Sequence, residues 1–213
     1  MKFICPPPVA LTPMPAQNPC AVKLDQIVRL GLQRLRPGQD PAFTTASIKL
    51  KASWVAAMAA AGNAKLVVTP IFAGLVIPSS EGIFEGGNDN STPFGIRDYI
   101  GETSVDVALQ WRNLATAIVK VLRSYTQESF ATVGAFSLGV FLFTKNGQIG
   151  CVTVEGVADG INPIAITNWR VGTRGSEGYN KNDIIPGGFS LPELWDESLV
   201  LIDPTDFNPL FDL

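Results

Sequence analysis

The sequence predicts an α+β fold in which an antiparallel β-sandwich or partly open barrel carries one or two helices. The prediction depends on three observations. Apolar runs at 138–143 and 148–155 flank Asn146-Gly147, a dipeptide typical of tight hairpins. Apolar residues alternate strictly over 103–109, as in a half-buried strand. From about 110 to 125 they recur every three or four residues, which predicts one strong amphipathic helix that packs on the sheet.

The two ends of the chain differ in composition from its middle. Prolines are so frequent in residues 1–20 that we expect an extended arm there rather than a folded element. A strand is predicted within 22–36, although the spacing also permits a short helix, and Pro37-Gly38 ends it as a turn. Residues 21–203 then form a single β-rich domain, and the apolar, proline-broken residues 204–213 form a C-terminal arm.

A second helix is predicted at about 48–61, because Thr44, Thr45 and Ser47 precede it as possible N-caps and Gly62-Asn63 follows it as a fitting C-cap. Further strands are predicted at 65–69, 164–172 and 199–203, and another apolar run at 71–77.

Two segments are predicted to be loops. Residues 79–98 and 173–190 are rich in Gly and Asn, with Ser, Asp and Pro among them. Long ordered loops in compact domains tend to serve function or contacts, so 79–98 is the first candidate for a contact surface.

Charge is scarce throughout the chain. Charged residues make up 16% of the sequence, against about 25% in ordinary globular domains. We therefore favour a protein whose apolar surface is covered by sister subunits over a monomer with a Ser, Thr and Asn surface. The net charge of −3 and the absence of a Lys/Arg cluster argue against specific nucleic-acid binding.

No apolar run approaches the length of about 20 residues that a membrane span needs, and the early prolines interrupt any signal-peptide helix. We therefore expect no membrane span and synthesis in the cytoplasm.

Histidine is absent, which removes the usual catalytic triads and the commonest metal ligand. The cysteines show no CxxC spacing, and Cys151 falls in a predicted strand, where a buried inert thiol is expected. Cys5 and Cys20 are expected to be free thiols, with a disulfide between them as the alternative in an oxidising setting. We accordingly expect no enzyme activity, cofactor or metal.

Carboxylates offer the remaining route to catalysis, as an acid/base pair. Nothing in the sequence pairs them, and isolated loop carboxylates are usually solvated surface. The loop at 86–91 lacks both the ending of a phosphate loop and the spacing of a calcium loop, which favours a turn-rich contact loop. The carboxylates considered are Glu81, Glu85, Asp89, Asp98, Glu193, Asp196 and Glu197.

Four features together resemble the virion structural proteins of tailed phages that infect Bacteroidetes. They are the loop EGGNDNST at 85–92, the strand LGVFL at 138–142, the turn NGQIG at 146–150, and a Gly-rich segment before Glu193 and Trp195. The likeness spans roughly residues 20–205.

Among such proteins, the tail tube subunit is the most similar in design, with a β-sandwich, a flanking helix, a long loop and terminal arms. The resemblance implies a homo-oligomer of rings or stacked rings, made in the host cytoplasm and located in the virion with other virion proteins. Its sheets would line a lumen in which DNA slides without adhering, which suits an acidic protein. The arms and the loop 79–98 would contact the adjacent ring. The implied subunit contacts are Phe84, Asn88, Asp89, Asn90, Phe94, Phe207 and Phe211.

Two other classes of function remain open. The chain is also compatible with another phage structural subunit, such as a capsid decoration, connector or baseplate protein. A carbohydrate-binding or receptor-binding β-sandwich would need an exposed aromatic platform, for which Trp169, Trp195 and Tyr179 are the candidates. Aromatic residues in strands are more often buried in the core.

Overall fold

A computed structural model describes residues 24–35, 40–87, 97–130, 137–176, 178–179 and 181–213. Within these residues the chain is mostly antiparallel β-sheet with two α-helices, and the large sheet does not close into a barrel. The predicted α+β fold, a sandwich or partly open barrel, is confirmed. The predicted N-terminal arm at 1–20 lies outside the described residues.

The strands are β1 (Ile27–Leu35), β2 (Phe43–Thr44), β3 (Leu66–Val68), β4 (Ala73–Val76), β5 (Gly82–Glu85), β6 (Asp98–Glu102), β7 (Val105–Arg112), β8 (Ser137–Thr144), β9 (Ile149–Thr153), β10 (Gly160–Asn162), β11 (Ile164–Val171), β12 (Gly175–Ser176), β13 (Asp183–Leu191) and β14 (Leu199–Ile202). The helices are α1 (Lys51–Ala59) and α2 (Thr116–Ser124), and short 3-10 turns lie at Ser47–Lys49, Gly62–Ala64 and Glu128–Phe130.

Two sheets share strand β11. The order β2-β10-β9-β8-β11-β13-β7-β4 runs through both, with β1 and β14 added beside β8 and β9. The first half of β11 pairs with β8, and the second half pairs with β13. The register shifts between Thr167 and Arg170, where Asn168 has φ of 53°. This irregularity carries the chain from one sheet to the other and folds the sheets face to face.

Strand β8 forms the centre of the molecule. It pairs with β1 along its whole length on one side, and with β11 and β9 in turn on the other. Its residues from Leu138 to Phe143 are buried on both faces, which explains why the run is apolar throughout rather than alternating. The sheet that contains β8 is therefore the middle of three layers.

The first core fills the space between the two sheets. Strand β7 contributes alternate residues ending at Trp111, and β11 contributes Trp169. The two indole rings meet edge to face with centroids 6.0 Å apart. The indole nitrogen of Trp169 donates a hydrogen bond of 2.9 Å to the carbonyl of Leu122. This bond holds α2 against the sandwich.

The second core lies on the opposite face of the β8 sheet, beneath α1. Trp54 is its centre, stacked on Phe43 at 4.8 Å and in edge contact with Phe141 and Phe143. Its indole nitrogen donates to the carbonyl of Ile48 over 2.7 Å. One fully buried tryptophan thus fixes the short helix on the sheet.

Most predicted elements are present with shifted bounds. The region 22–36 contains a strand, β1, rather than a short helix, and the helix predicted at 48–61 is a 3-10 turn followed by α1. The hairpin predicted around Asn146-Gly147 joins β8 to β9, and Gly147 has φ of 84°, which glycine adopts without strain.

No helix in the described part of the chain has the length and apolar character needed to cross a bilayer.

The helix predicted from about 110 starts later than expected. The alternation of β7 continues through Trp111, whose side chain is fully buried between the sheets. Asn113, with φ of 51°, then turns the chain, and α2 begins at Thr116. Val119 and Leu122 are its buried residues, whereas Ile118 and Val121 of the predicted stripe are exposed.

The loop prediction at 173–190 is wrong for its second half. Strand β13 occupies 183–191 and pairs with β7 along its length. The sequence Pro186-Gly187-Gly188 suggests a turn, but these residues continue the strand. Pro186 points outward, and Gly187 makes room for the ring of Trp111.

Candidate assembly surface

The segment between β4 and β7 forms a hairpin outside the sandwich. Strands β5 and β6 pair with each other in a separate two-stranded sheet. The loop predicted at 79–98 is therefore corrected: 82–85 is a strand, and Asp98 starts its partner strand. From here on, the arm means this hairpin, residues 82–85 and 98–102, and not the terminal segments 1–20 and 204–213.

Large apolar side chains on the arm are exposed to solvent. The exposed fraction is 54% for Phe84, 57% for Tyr99, 60% for Ile100 and 43% for Ile83. Isolated apolar residues at a surface are common, but four in one two-stranded hairpin concentrate exposed apolar surface in a single element. Such features on soluble proteins mark interaction sites.

Phe84 and Tyr99 form the centre of one face of the arm. They are paired across the strands, and their rings meet edge to face with centroids 5.7 Å apart. A Cβ atom placed on Gly82 would lie 2.9 Å from the Phe84 ring, so this glycine lets the ring lie over the backbone. Ile83 and Phe84 are consecutive in the strand and so point to opposite faces. Both faces of the arm are therefore apolar.

Polar contacts close the base of the arm, between the residues that enter β5 and those that leave β6. The amide of Thr103 donates to the carbonyl of Glu81 over 3.0 Å, and the hydroxyl of Ser80 donates to Glu102. Desolvation raises the pKa of the Tyr99 hydroxyl, and the carboxylates of Glu102 and Glu193 raise it further. Tyr99 therefore stays neutral at physiological pH and presents a ring with a hydrogen-bonding tip.

The stability of the arm poses a physical question. A two-stranded hairpin alone is marginal in water, because it buries too little apolar surface to offset the entropy of ordering its backbone. This arm keeps its apolar side chains exposed on both faces. A second surface laid over it would supply the missing burial.

The C-terminal segment, predicted as a second arm, lies against its own domain. Arg29 donates hydrogen bonds to the carbonyls of Pro209 and Leu210, at 3.2 and 2.9 Å. Leu210 is 8% exposed, and the half-buried Phe207 packs near Trp54 with ring centroids 6.3 Å apart. Of the two phenylalanines predicted to make subunit contacts there, only Phe211, 79% exposed, presents most of its surface to solvent.

Of the other five residues predicted to make subunit contacts, one lies in the described part of the chain. Phe84 is on the arm, while Asn88, Asp89, Asn90 and Phe94 lie outside the described residues. The structure joins Phe84 to Tyr99, Ile83 and Ile100, which the sequence analysis did not include. The sequence does contain a signal for this hairpin: GIFE and DYIGE are two short β-prone runs on either side of a Gly- and Asn-rich stretch.

Of the carboxylates considered, Glu85 and Asp98 lie opposite each other across the two strands of the arm. The described residues contain no group of three or more Cys, Asp or Glu side chains placed to hold a metal ion. Cys151 is fully buried, and desolvation raises the pKa of its thiol to about 12. Cys5 and Cys20 lie outside the described residues, as does Asp89 of the carboxylates.

The aromatic platform proposed for a carbohydrate-binding sandwich is not formed by its three candidates. Trp169 is fully buried between the sheets, and Trp195 packs against the same core. Tyr179 is 96% exposed on a Gly-rich connection. The arm is thus the described surface that combines exposed aromatic side chains in direct contact with each other.

Comparison of the chain with protein-family models, with curated proteins and with solved structures finds no match in any of the three.

Proposed function

We propose that this chain is a structural protein of a tailed-phage virion that self-assembles into rings or a tube, in the role of a tail tube subunit. The arm is the observation that carries the proposal. It extends from the sandwich and exposes apolar side chains on both faces, including the Phe84–Tyr99 pair. A neighbouring copy that covers the arm would bury this surface at every subunit boundary of a ring or a stack.

The remainder of the molecule suits a repeating structural unit. Its middle sheet is buried on both faces by two separate cores, which makes a rigid platform. The sandwich with a flanking helix agrees with the tail tube design that the sequence resembles. The low charge content leaves much of the surface available for contacts between subunits. In this role the chain is made in the host cytoplasm and incorporated into the virion.

The test is the assembly state of the purified protein. Size-exclusion chromatography with light scattering is expected to give a discrete mass many times 22.8 kDa, and negative-stain microscopy is expected to show rings or tubes. Stacks of six-fold rings support a tail tube, whereas three-fold clusters indicate capsid decoration. A clean monomer at high concentration would refute the proposal.

A paired variant locates the assembly contact. Phe84→Ser with Tyr99→Ser removes both rings from the arm without touching either core, so the fold is retained and assembly is lost. Val55→Ser is the matched control. Val55 is 48% exposed, and it lies on α1, which packs over the second core and not on the arm. Assembly that survives in the arm variant contradicts the role given to the arm.

A further inference from the structure

We propose that residues 1–23, which we call the N-terminal segment, dock in an apolar groove beside α2 of their own subunit. The inference concerns a single subunit and does not depend on the proposed function. It also differs from what the resemblance implies for residues 1–20, which is contact with an adjacent ring.

The groove lies between α2 and the segment that contains β3. Its volume is about 440 Å³, and apolar side chains make up most of its lining. Val67, Val68 and Pro70 form one wall, and Ile118 and Val121 form the other. Among the described strands, β3 pairs with β1 alone, so no further strand covers the first wall.

The apolar side chains of the groove are only partly covered by the described part of their own subunit. Helix α2 buries Val119 and Leu122, yet Val121 remains 51% exposed and Ile118 39% exposed. Ile71, next to Pro70 in the chain, is 54% exposed. An apolar occupant would remove this surface from water, which is the main source of stability in protein contacts.

The groove offers no free charge among the described residues that line it. Arg29 is the only charged residue of that lining, and its guanidinium donates to the carbonyls of Thr69, Pro209 and Leu210. The hydroxyl of Thr69 accepts the amide of Leu30. A charged occupant would lose its hydration here without gaining a partner, so the groove suits an uncharged one.

The composition of the N-terminal segment matches this requirement. Residues 3–22 contain no charged side chain over twenty positions. Prolines at 6–8, 13, 15 and 19 lack the amide donors that a regular strand needs, so a groove lined by side chains suits the segment better than a sheet edge. Its larger apolar side chains are Phe3, Ile4, Val9, Leu11 and Met14.

The groove is within reach of the N-terminal segment of the same subunit. The described chain begins at Leu24, and Arg29 in β1 already lines the groove. These two residues are at most about 17 Å apart along the chain, whereas 23 residues can extend over up to about 80 Å. The covalent connection also gives the segment a local concentration of about millimolar, which favours its own groove over that of a second copy.

The native cysteines provide the test, because Cys151 is fully buried and Cys5 and Cys20 both belong to the N-terminal segment. Val121→Cys places a thiol in the groove, in one chain that also carries Cys20→Ser and in another that carries Cys5→Ser. A short bis-maleimide is expected to join residue 121 to the remaining native thiol of the segment in at least one of the two chains. The product should run as a monomer on a denaturing gel, and peptide mapping identifies the linked residues.

Val55→Cys, in the same two backgrounds, is the matched control. Val55 is 48% exposed on α1, close to the 51% of Val121, and it does not line the groove. Circular dichroism melts establish that every variant is folded. A covalent dimer would show that the segment occupies a second copy and would overturn the assignment to its own subunit. Equal yields at positions 121 and 55, or no link to 121, would overturn the docking itself.

The rate of native thiol labelling gives a second readout. Ile118→Ser with Val121→Ser removes apolar surface from the groove but leaves the buried Val119 and Leu122 in place. Alkylation of Cys5 or Cys20 is expected to become about tenfold faster, because the segment spends more time away from the groove. Val55→Ser should leave the rate unchanged. An unchanged rate in the folded groove variant would contradict the proposal, whether or not the wild type assembles.

Discussion

Gly187 lies directly opposite the indole ring of Trp111 in the core between the two sheets. A Cβ atom at position 187 would overlap the ring carbon Cζ3 of Trp111 and would lie 3.1 Å from Leu109 Cδ1. The largest side chain of β7 therefore fits only because β13 has no side chain at this position.

Gly187→Ala is accordingly expected to destabilise the protein. Overpacking of a close-packed core costs about 1–3 kcal/mol, which chemical denaturation measures as a lower midpoint. Gly175→Ala is the matched control, because a Cβ there meets its nearest atom, the carbonyl oxygen of Ile184, at 3.8 Å. Equal effects of the two substitutions would contradict the fit described here.

The two buried tryptophans of this core differ in their hydrogen bonds. Trp169 Nε1 donates to the carbonyl of Leu122, whereas Trp111 Nε1 has no partner among the described residues. Trp169→Phe and Trp111→Phe both shrink a fully buried ring, but only the first leaves a helix carbonyl unsatisfied. We expect Trp169→Phe to lower the free energy of unfolding by about 1–3 kcal/mol more than Trp111→Phe. Denaturant titrations of the two variants compare them directly.

Arg29 is expected to control the attachment of the C-terminal segment. Its guanidinium donates to the carbonyls of Thr69, Pro209 and Leu210. Arg29→Met keeps the aliphatic stem but removes all these donors, at a cost of about 1–3 kcal/mol. Hydrogen exchange should then show lost protection over 207–213, with β8 still protected. Arg112→Met, at an exposed site of β7, is the control and should leave both regions unchanged.

Cys151 is expected to be unreactive in the folded protein. Burial raises the pKa of its thiol to about 12, so the thiolate form is scarce at pH 8 and no reagent reaches the sulfur. Alkylation followed by peptide mapping should modify Cys151 only after denaturation. Rapid native labelling would contradict its burial.

The same pKa predicts a dependence of stability on alkaline pH. In the unfolded chain the thiol ionises near pH 8.5, while in the folded protein it stays protonated to about pH 12. Ionisation of the unfolded state therefore reduces stability as pH rises through this interval. The stability advantage of the wild type over Cys151→Ala should be constant below pH 8 and should decline above it.

Local patterns predicted the elements whose signals are contained in a few residues. The Asn146-Gly147 hairpin, the apolar run of β8 and the alternation of β7 all fall in this class. Elements decided by distant partners were missed. The position of Trp111 fits the apolar spacing of a strand as well as that of a helix. It lies in a strand because the chain turns at Asn113 and because Gly187 leaves room for its ring in the core.

The candidate site was predicted in part. Composition made 79–98 a candidate contact region, and the resemblance implied that Phe84 is a contact residue; Phe84 is exposed on the arm. Tyr99 and Ile100 were missed because the abundance of Gly, Asn and Ser concealed two short strands. The exposure of Ile118 and Val121 could not be predicted from periodicity, because the spacing shows which residues of the helix are apolar but not which of them the sandwich covers.

The pairing of β1 with β8 has a consequence for synthesis of the chain. About a hundred residues separate the end of β1 from the start of β8. At a translation rate of roughly 5–20 residues per second, the first strand waits for about 5–20 seconds before its partner leaves the ribosome. Leu30 and Leu32 lack the cover of β8 during that interval, so early binding by a chaperone is expected to raise the yield of native subunits.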